Sequence, residues 1–149
     1  MSIQSQQNNM IRLHELLKAD LGFIAGERER GPNGAKKTFL RVGKVFLRAL
    51  AKDLGLRDAV IKSNPGGMAV SGDCSLCGMW ENNGIYICIS QFGGGGESVI
   101  LYRTIRNLKD CSGGYNHYFQ LSDLKAMNYK QLLYQFSSLR RDYAYAQAA

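Results

Sequence analysis

No apolar stretch in this chain approaches the roughly 18 residues that are needed to cross a lipid bilayer. Residues 1–9 are mostly polar and lack the apolar centre of a signal peptide. We therefore expect a cytoplasmic protein that does not associate with membranes. The patterns Gly-x-x-x-x-Gly-Lys-[Ser/Thr] and Gly-x-Gly-x-x-Gly are also absent, so the glycine run at 93–96 does not predict a nucleotide cofactor.

Potential metal ligands are few, with two histidines and four cysteines in 149 residues. Cys74 and Cys77 have the spacing of half a zinc site, but Cys88 and Cys111 are isolated and the other half is missing. Cys88 lies in an apolar, strand-like run, where a thiol usually acts as a small hydrophobic group. We therefore predict structural or incidental cysteines and no metal or cofactor. Zinc binding and redox or nucleophilic use of the thiols are the alternatives.

Acidic residues are too few to balance the basic ones, and the formal net charge is +7. Between Gly26 and Lys62 there are ten lysines and arginines but only four acids, so nearly all of the excess charge lies there. A clustered basic surface favours polyanions: nucleic acid, an acidic protein face or a membrane surface. The chain is 45% hydrophobic and 21% charged, which is typical of a globular protein rather than a disordered one.

The basic segment contains an amphipathic helix, which we predict over residues 36–54. Its cations recur at steps of three or four residues and therefore fall on one stripe of the helix: Lys37, Arg41, Lys44, Arg48 and Lys52. Apolar residues form a second stripe: Phe39, Leu40, Gly43, Phe46, Leu47, Leu50 and Leu54. No acid interrupts the basic stripe before Asp53. The helix is thus predicted to have a core face and a cationic face, and Gly55 is predicted to end it.

The remaining pattern predicts an α+β fold. Asn8 or Asn9 can cap a first helix that ends near Ala25. Ser122 or Asp123 can cap a last helix that ends near Arg141. Between the second and last helices, alternating segments predict short strands near 59–63, 68–71, 73–80, 85–91, 98–105 and 115–121. We predict two N-terminal helices, a bent antiparallel sheet of about five strands and a C-terminal helix packed on the sheet. A single compact domain is expected over residues 1–149, with a mobile charged loop at 26–35 and a tail at 144–149.

Two groups of cations are candidates for binding. The helix cations predict contact with nucleic-acid phosphates, because a face chosen only for solubility usually mixes both signs of charge. A second patch contains Arg103, Arg106 and Lys109, beside Tyr102 and Tyr118. Exposed aromatic rings beside cations can stack on unpaired bases, but strand alternation favours core packing of the two tyrosines over base stacking.

The sequence therefore predicts a small, basic, non-enzymatic binding module that contacts nucleic acid through the helix at 36–54 with weak sequence specificity. Its partner is nucleic acid or an acidic protein surface. The first alternative is a protein-binding inhibitor or adaptor of a phage or plasmid accessory type, for example an anti-defence or anti-CRISPR protein, because small size and long glycine-rich loops suit such a role.

The second alternative is a cysteine-dependent enzyme. Cys111 and His117 lie close in sequence, and a cysteine with a histidine base is a known nucleophile pair. Nothing nearby in the sequence activates the thiol. We therefore predict that the chain is not an enzyme and that this pair is the only weak catalytic candidate.

Overall fold

The computed structural model describes residues 3–24, 35–64, 73–90, 98–110 and 114–141. Two helices come first, α1 (Ile3–Ile24) and α2 (Ala35–Asp53). Five strands follow: β1 (Arg57–Asn64), β2 (Asp73–Met79), β3 (Gly84–Ser90), β4 (Ser98–Ile105) and β5 (His117–Gln120). The described chain ends with α3 (Leu121–Ala126), α4 (Tyr129–Ser137) and a 3₁₀ turn (Ser138–Arg141). This element order confirms the predicted α+β class.

The five strands form one antiparallel sheet in the order β1-β2-β3-β4-β5, so each strand pairs with its neighbours along the chain. In this register Leu76 of β2 lies opposite Ile87 of β3, and Ile87 lies opposite Tyr102 of β4. Because successive side chains point to opposite faces of a strand, one face of the sheet collects the buried apolar residues. That core face carries Cys74, Leu76, Ile85, Ile87, Ile89, Ile100, Tyr102 and Phe119.

The helix pair α1–α2 packs on the core face. Gly43 of α2 allows the closest approach, because a Cβ atom built there would lie 2.6 Å from the Sγ of Cys74 on β2. The Cys74 thiol donates a hydrogen bond to the carbonyl oxygen of Leu40, with 3.8 Å between the heavy atoms. The α1 side chains Leu13 and Leu16 are buried in the same core. A cysteine on a strand thus packs where the helix lacks a side chain.

The C-terminal helix packs on the same face, as predicted. The Phe136 ring of α4 meets Tyr102 edge to face, with 5.0 Å between centroids, and lies 5.6 Å from the Phe119 ring. A polar contact links this helix to the other two. The Asn9 amide donates to the Tyr129 hydroxyl, which donates to the Asp53 carboxylate, each over 2.7 Å.

Two predicted helix boundaries were wrong. The first helix begins at Ile3, and Asn9, instead of capping it, is buried and also donates to the carbonyl oxygen of Phe46 over 3.3 Å. The last helix is broken at Met127–Asn128. There the Asn128 side chain accepts from the Gln131 N–H, and the Gln131 side chain accepts from the Asn128 N–H, so a capping box begins α4.

Other boundaries agree with the sequence. Gly55 ends α2 with φ 69°, and the N–H of Leu56 donates to the carbonyl oxygen of Ala51 over 3.1 Å, which closes the last turn. The predicted strand at 68–71 and tail at 144–149 lie outside the described residues, as does the loop at 26–35 apart from Ala35. Among the described helices, none has the length and apolar character that crossing a membrane requires.

The contact between Gly43 and Cys74 predicts a measurable coupling. Gly43→Ala should destabilise the wild-type protein, because the new methyl group collides with the thiol. In a Cys74→Ala background the collision is relieved, and alanine's helix propensity, worth about 1 kcal/mol, should make Gly43→Ala neutral or stabilising. Urea unfolding of the four proteins should give a coupling energy of about 1–3 kcal/mol. Additive effects would contradict the packing.

Candidate functional site

The helix α2 presents its cations on the side turned away from the core. Arg41, Arg48 and Lys52 are exposed and Lys44 is half-buried. The opposite stripe is buried: Phe39, Val42, Phe46, Leu47, Leu50 and Leu54. Lys37 lies in the first turn of α2, and its side chain is outside the described part of the structure. We call Arg41, Lys44, Arg48 and Lys52 the α2 cationic face.

The acids nearest in sequence to the α2 cationic face are engaged elsewhere. Asp53 accepts the hydrogen bond from the Tyr129 hydroxyl, and Asp58 lies 3.5 Å from a guanidinium nitrogen of Arg57. Within the described ranges, no member of the α2 cationic face forms an ion pair with a carboxylate. These positive charges are therefore not neutralised by the described residues.

The two ends of the α2 cationic face differ electrostatically. Near Lys52 a groove of about 490 Å³ runs between α1 and α2, and its lining includes Arg12, Asn8 and the carboxylate of Asp53. A mixed-charge groove attracts an anion less strongly than an acid-free surface does. Arg41 and Lys44 lie further along the helix from this carboxylate than Arg48 and Lys52 do.

One residue of the second predicted patch, Arg103, lies on the other side of the sheet. Arg103 belongs to the open face, which we define as the side of the sheet opposite the core face. Its guanidinium carbon lies 4.6 Å from the centroid of the Tyr86 ring, and its Nη1 donates to the Asn116 side chain over 3.3 Å. Arg106 lies 3.8 Å from Asp110, so that cation is paired. Lys109 is exposed.

Tyr102 and Tyr118, for which the sequence predicted the same environment, lie in different environments in the structure. Tyr102 is only 6% exposed, and its ring stacks on Phe119 in the core with 5.0 Å between centroids. Tyr118 lies opposite Leu101 on the open face and is 52% exposed. Core packing therefore holds for Tyr102, whereas Tyr118 retains a ring surface in contact with solvent.

The cysteine pair of β2 does not form half of a metal site. Cys74 and Cys77 are three residues apart on a strand, so their side chains point to opposite faces of the sheet. Cys74 is fully buried against α2, while Cys77 lies opposite Tyr86 on the open face. No cluster of three or more potential metal ligands occurs among the described residues.

Two thiols are held in their protonated form by their surroundings. Burial, followed by the negative charge of Asp73, raises the pKa of Cys74 to about 12. Burial also raises the pKa of the Cys88 thiol above its usual range. At neutral pH both groups are neutral and behave as small hydrophobic side chains.

The prediction that the chain is not an enzyme, with Cys111 and His117 as the only weak candidate pair, is wrong. Cys111 lies outside the described residues, and the His117 ring stacks on Tyr102 with 5.1 Å between centroids. The conclusion that catalytic chemistry is absent rested on one pair alone and does not stand.

No protein-family model, curated protein sequence or solved structure matches this chain. Its function must therefore be argued from its own side chains. The sequence analysis did not place Lys62 and Tyr86 in a binding surface, although both project from the open face. Alternation with the buried isoleucines of β3 assigns Tyr86 to that face, but only the strand register brings it next to Arg103.

The raised pKa of Cys74 predicts a pH-dependent stability. The unfolded thiol loses its proton near its ordinary pKa of 9.0, whereas the folded thiol keeps it until about 12. Between these values the folded state binds more protons, so stability falls as pH rises, by at most about 1.4 kcal/mol per pH unit for this thiol. Urea unfolding across this range should show a shallower decline for Cys74→Ala than for wild type.

Ser75→Ala, on the same strand, is the matched control because it removes a hydroxyl that does not titrate in this range. Its stability difference from wild type should stay constant with pH. A Cys74→Ala difference that is equally constant would show that the thiol has no raised pKa.

Proposed function

We propose that this protein is a small basic binding module that contacts nucleic-acid phosphates through the α2 cationic face. The observation that carries the proposal is an exposed helix side with four cations and no ion pair to a described carboxylate. Lysine and arginine that neutralise phosphates release condensed counterions, and this release supplies most of non-specific affinity. The proposal includes the cytoplasmic location expected from the sequence.

The dimensions of the face suit a phosphate backbone. Arg41 and Lys52 are separated by about 16 Å along the helix axis, at about 1.5 Å per residue. Duplex DNA carries one negative charge per about 1.7 Å of its axis, so each cation meets several phosphates within reach. Val45 is the exposed apolar residue between the cations. Contacts of this kind fix position and carry no sequence information, so weak specificity follows.

Charge reversal tests the proposal. The triple variant Arg41→Glu, Lys44→Glu and Arg48→Glu should bind a labelled oligonucleotide at least about 100-fold more weakly, because three phosphate contacts become repulsive. The measurement is fluorescence anisotropy at low salt. The matched control is Lys125→Glu, Lys130→Glu and Arg140→Glu, which changes the net charge equally at three exposed positions on the C-terminal helices. It should lose much less affinity.

Equal losses in the two triple variants would mean that only net charge matters, and unchanged binding in the α2 variant would refute the proposal. Capture of partners from a lysate distinguishes nucleic-acid binding from the phage or plasmid accessory alternative. In that alternative the protein is an anti-defence inhibitor or adaptor that binds an acidic protein surface. Partners that are lost after nuclease treatment support nucleic acid. Partners that remain, and that the α2 variant no longer captures, support the protein alternative instead.

The salt dependence gives a quantitative check. For the neutral variant Arg41→Gln, Lys44→Gln and Arg48→Gln, the slope of log affinity against log salt should decrease in magnitude by about 0.9 for each duplex phosphate that the variant no longer neutralises. Titrations at several salt concentrations measure this slope. An unchanged slope would show that these side chains do not contact phosphates.

A further inference from the structure

The contacts that the helices α2 and α4 make with the sheet are on the core face and not on the open face. The contacts of Gly43 with Cys74 and of Phe136 with Tyr102 place α2 and α4 on the core face. On the open face the register aligns side chains from neighbouring strands in rows. One row contains Val60, Cys77, Tyr86 and Arg103, and the next contains Lys62, Ser75, Cys88, Leu101 and Tyr118. The surface therefore combines aromatic rings, small polar groups and cations.

A cavity lies on this face. Its volume is about 230 Å³, and its lining includes Lys62, Ser75, Tyr86 and, from the segment after β4, Leu108. Pockets for drug-sized ligands occupy about 300–1,000 Å³, so this one suits a single planar ring system. The Ser75 hydroxyl and the Lys62 ammonium group in its lining offer polar contacts to such a ring. The chemistry matches one nucleobase with an attached phosphate.

The charges on the open face favour an anionic occupant. Lys62 on β1 and Arg103 on β4 lie on opposite sides of β3, which carries Tyr86. The register also places Asp73 of β2 on this face, diagonal to Lys62, so the two cations outnumber this carboxylate. The Tyr86 hydroxyl stays protonated, because burial raises its pKa. Tyr86 therefore contributes no negative charge that would repel a phosphate here. A second copy of this chain would instead bring its own Lys62 and Arg103 against like charges.

The open face has an exposed ring and an ordered cation that are available for stacking. Tyr118 is exposed and lies opposite Leu101 across the β4–β5 strand pair. Arg103 is fixed in place by the Tyr86 ring and by the Asn116 amide. Unpaired bases stack on tyrosine rings and on guanidinium planes, and side chains that are already ordered lose little entropy when a base arrives.

We propose that the open face binds unpaired nucleotides of a nucleic-acid strand, with one base stacked on Tyr118, one in the cavity beside Tyr86, and Lys62 and Arg103 contacting the phosphates. This deepens the proposed function by naming a single strand as the ligand, and it uses the side of the sheet opposite α2. The two surfaces bind independently, so each can fail without the other.

The test compares an intact single-stranded dodecamer of thymidine with an abasic strand of the same length. The abasic strand retains every phosphate and lacks the bases. Stacking of each base is expected to favour the intact strand by about 5- to 150-fold, measured as the ratio of the two dissociation constants by fluorescence anisotropy. Tyr118→Ala should reduce this ratio at least about fivefold, whereas Tyr118→Phe keeps the ring and should preserve it.

Two controls locate the effect. Tyr134→Ala removes a tyrosine that is 73% exposed on α4 and should leave the ratio unchanged. The α2 triple glutamate variant should weaken binding of the abasic strand most, because that strand offers only phosphates, and should leave base-dependent binding by the open face in place. Lys62→Glu changes an exposed position of β1 and should weaken binding of the intact strand. If Tyr118→Ala fails to fold, this variant tests whether the open face binds the strand.

A ratio near one for the wild-type protein overturns the proposal for the open face, and phosphate contact by α2 survives that result. A Tyr118→Ala variant that behaves like Tyr134→Ala overturns it as well. Unchanged affinity of the α2 triple variant for both strands overturns only the proposed function. Base-independent binding together with a dimer that Tyr118→Ala dissociates would assign the open face to a second copy and refute the nucleotide site.

Discussion

The close contact between α2 and β2 at Gly43 and Cys74 determines the direction of every side chain on that helix. With the glycine pressed against the strand, the buried stripe that begins at Phe39 must enter the core. The residues on the other side of the helix must then face solvent, and these include Arg41 and Arg48. The exposed positive surface therefore depends on one steric fit. Gly43, an α2 residue without a side chain, packs against the buried thiol of Cys74.

A polar contact supports the same arrangement. Asp53 follows the last cation of α2, and as an unengaged carboxylate it would be available to pair with Lys52. Its hydrogen bond from Tyr129 turns it towards the junction of the three long helices, where Asn9 completes the contact. Removing the Tyr129 hydroxyl would leave a carboxylate without this partner, so the fold and the charge of the surface are linked.

Local patterns predicted much of the fold. The three- and four-residue spacing of cations predicted α2 to within one residue at each end, and the alternating segments near 73–80 and 85–91 predicted β2 and β3. The break before α4 was missed although Asn128 and Gln131 have the spacing of a capping box. The contact between Asp53 and Tyr129 joins residues 76 positions apart, and no local pattern specifies such a pair.

The candidate site was predicted in its parts and not in its arrangement. Helical periodicity identified the α2 cationic face, but it gave no means of knowing that Arg103 lies on the far side of the sheet. Strand alternation favoured core packing for both Tyr102 and Tyr118, and only the register shows that Tyr102 faces the core and Tyr118 the open face. Whether Arg106 is neutralised depended on its approach to Asp110, a contact across a turn.

The central claim is that α2 offers its cations to a polyanion, and amide chemical shifts measured by NMR during titration with an oligonucleotide test it most directly. The account predicts that the largest changes at low salt occur along the exposed side of α2, around Arg41, Lys44 and Arg48, and that added salt reverses them. Changes concentrated on α3 and α4, with α2 unaffected, would contradict it.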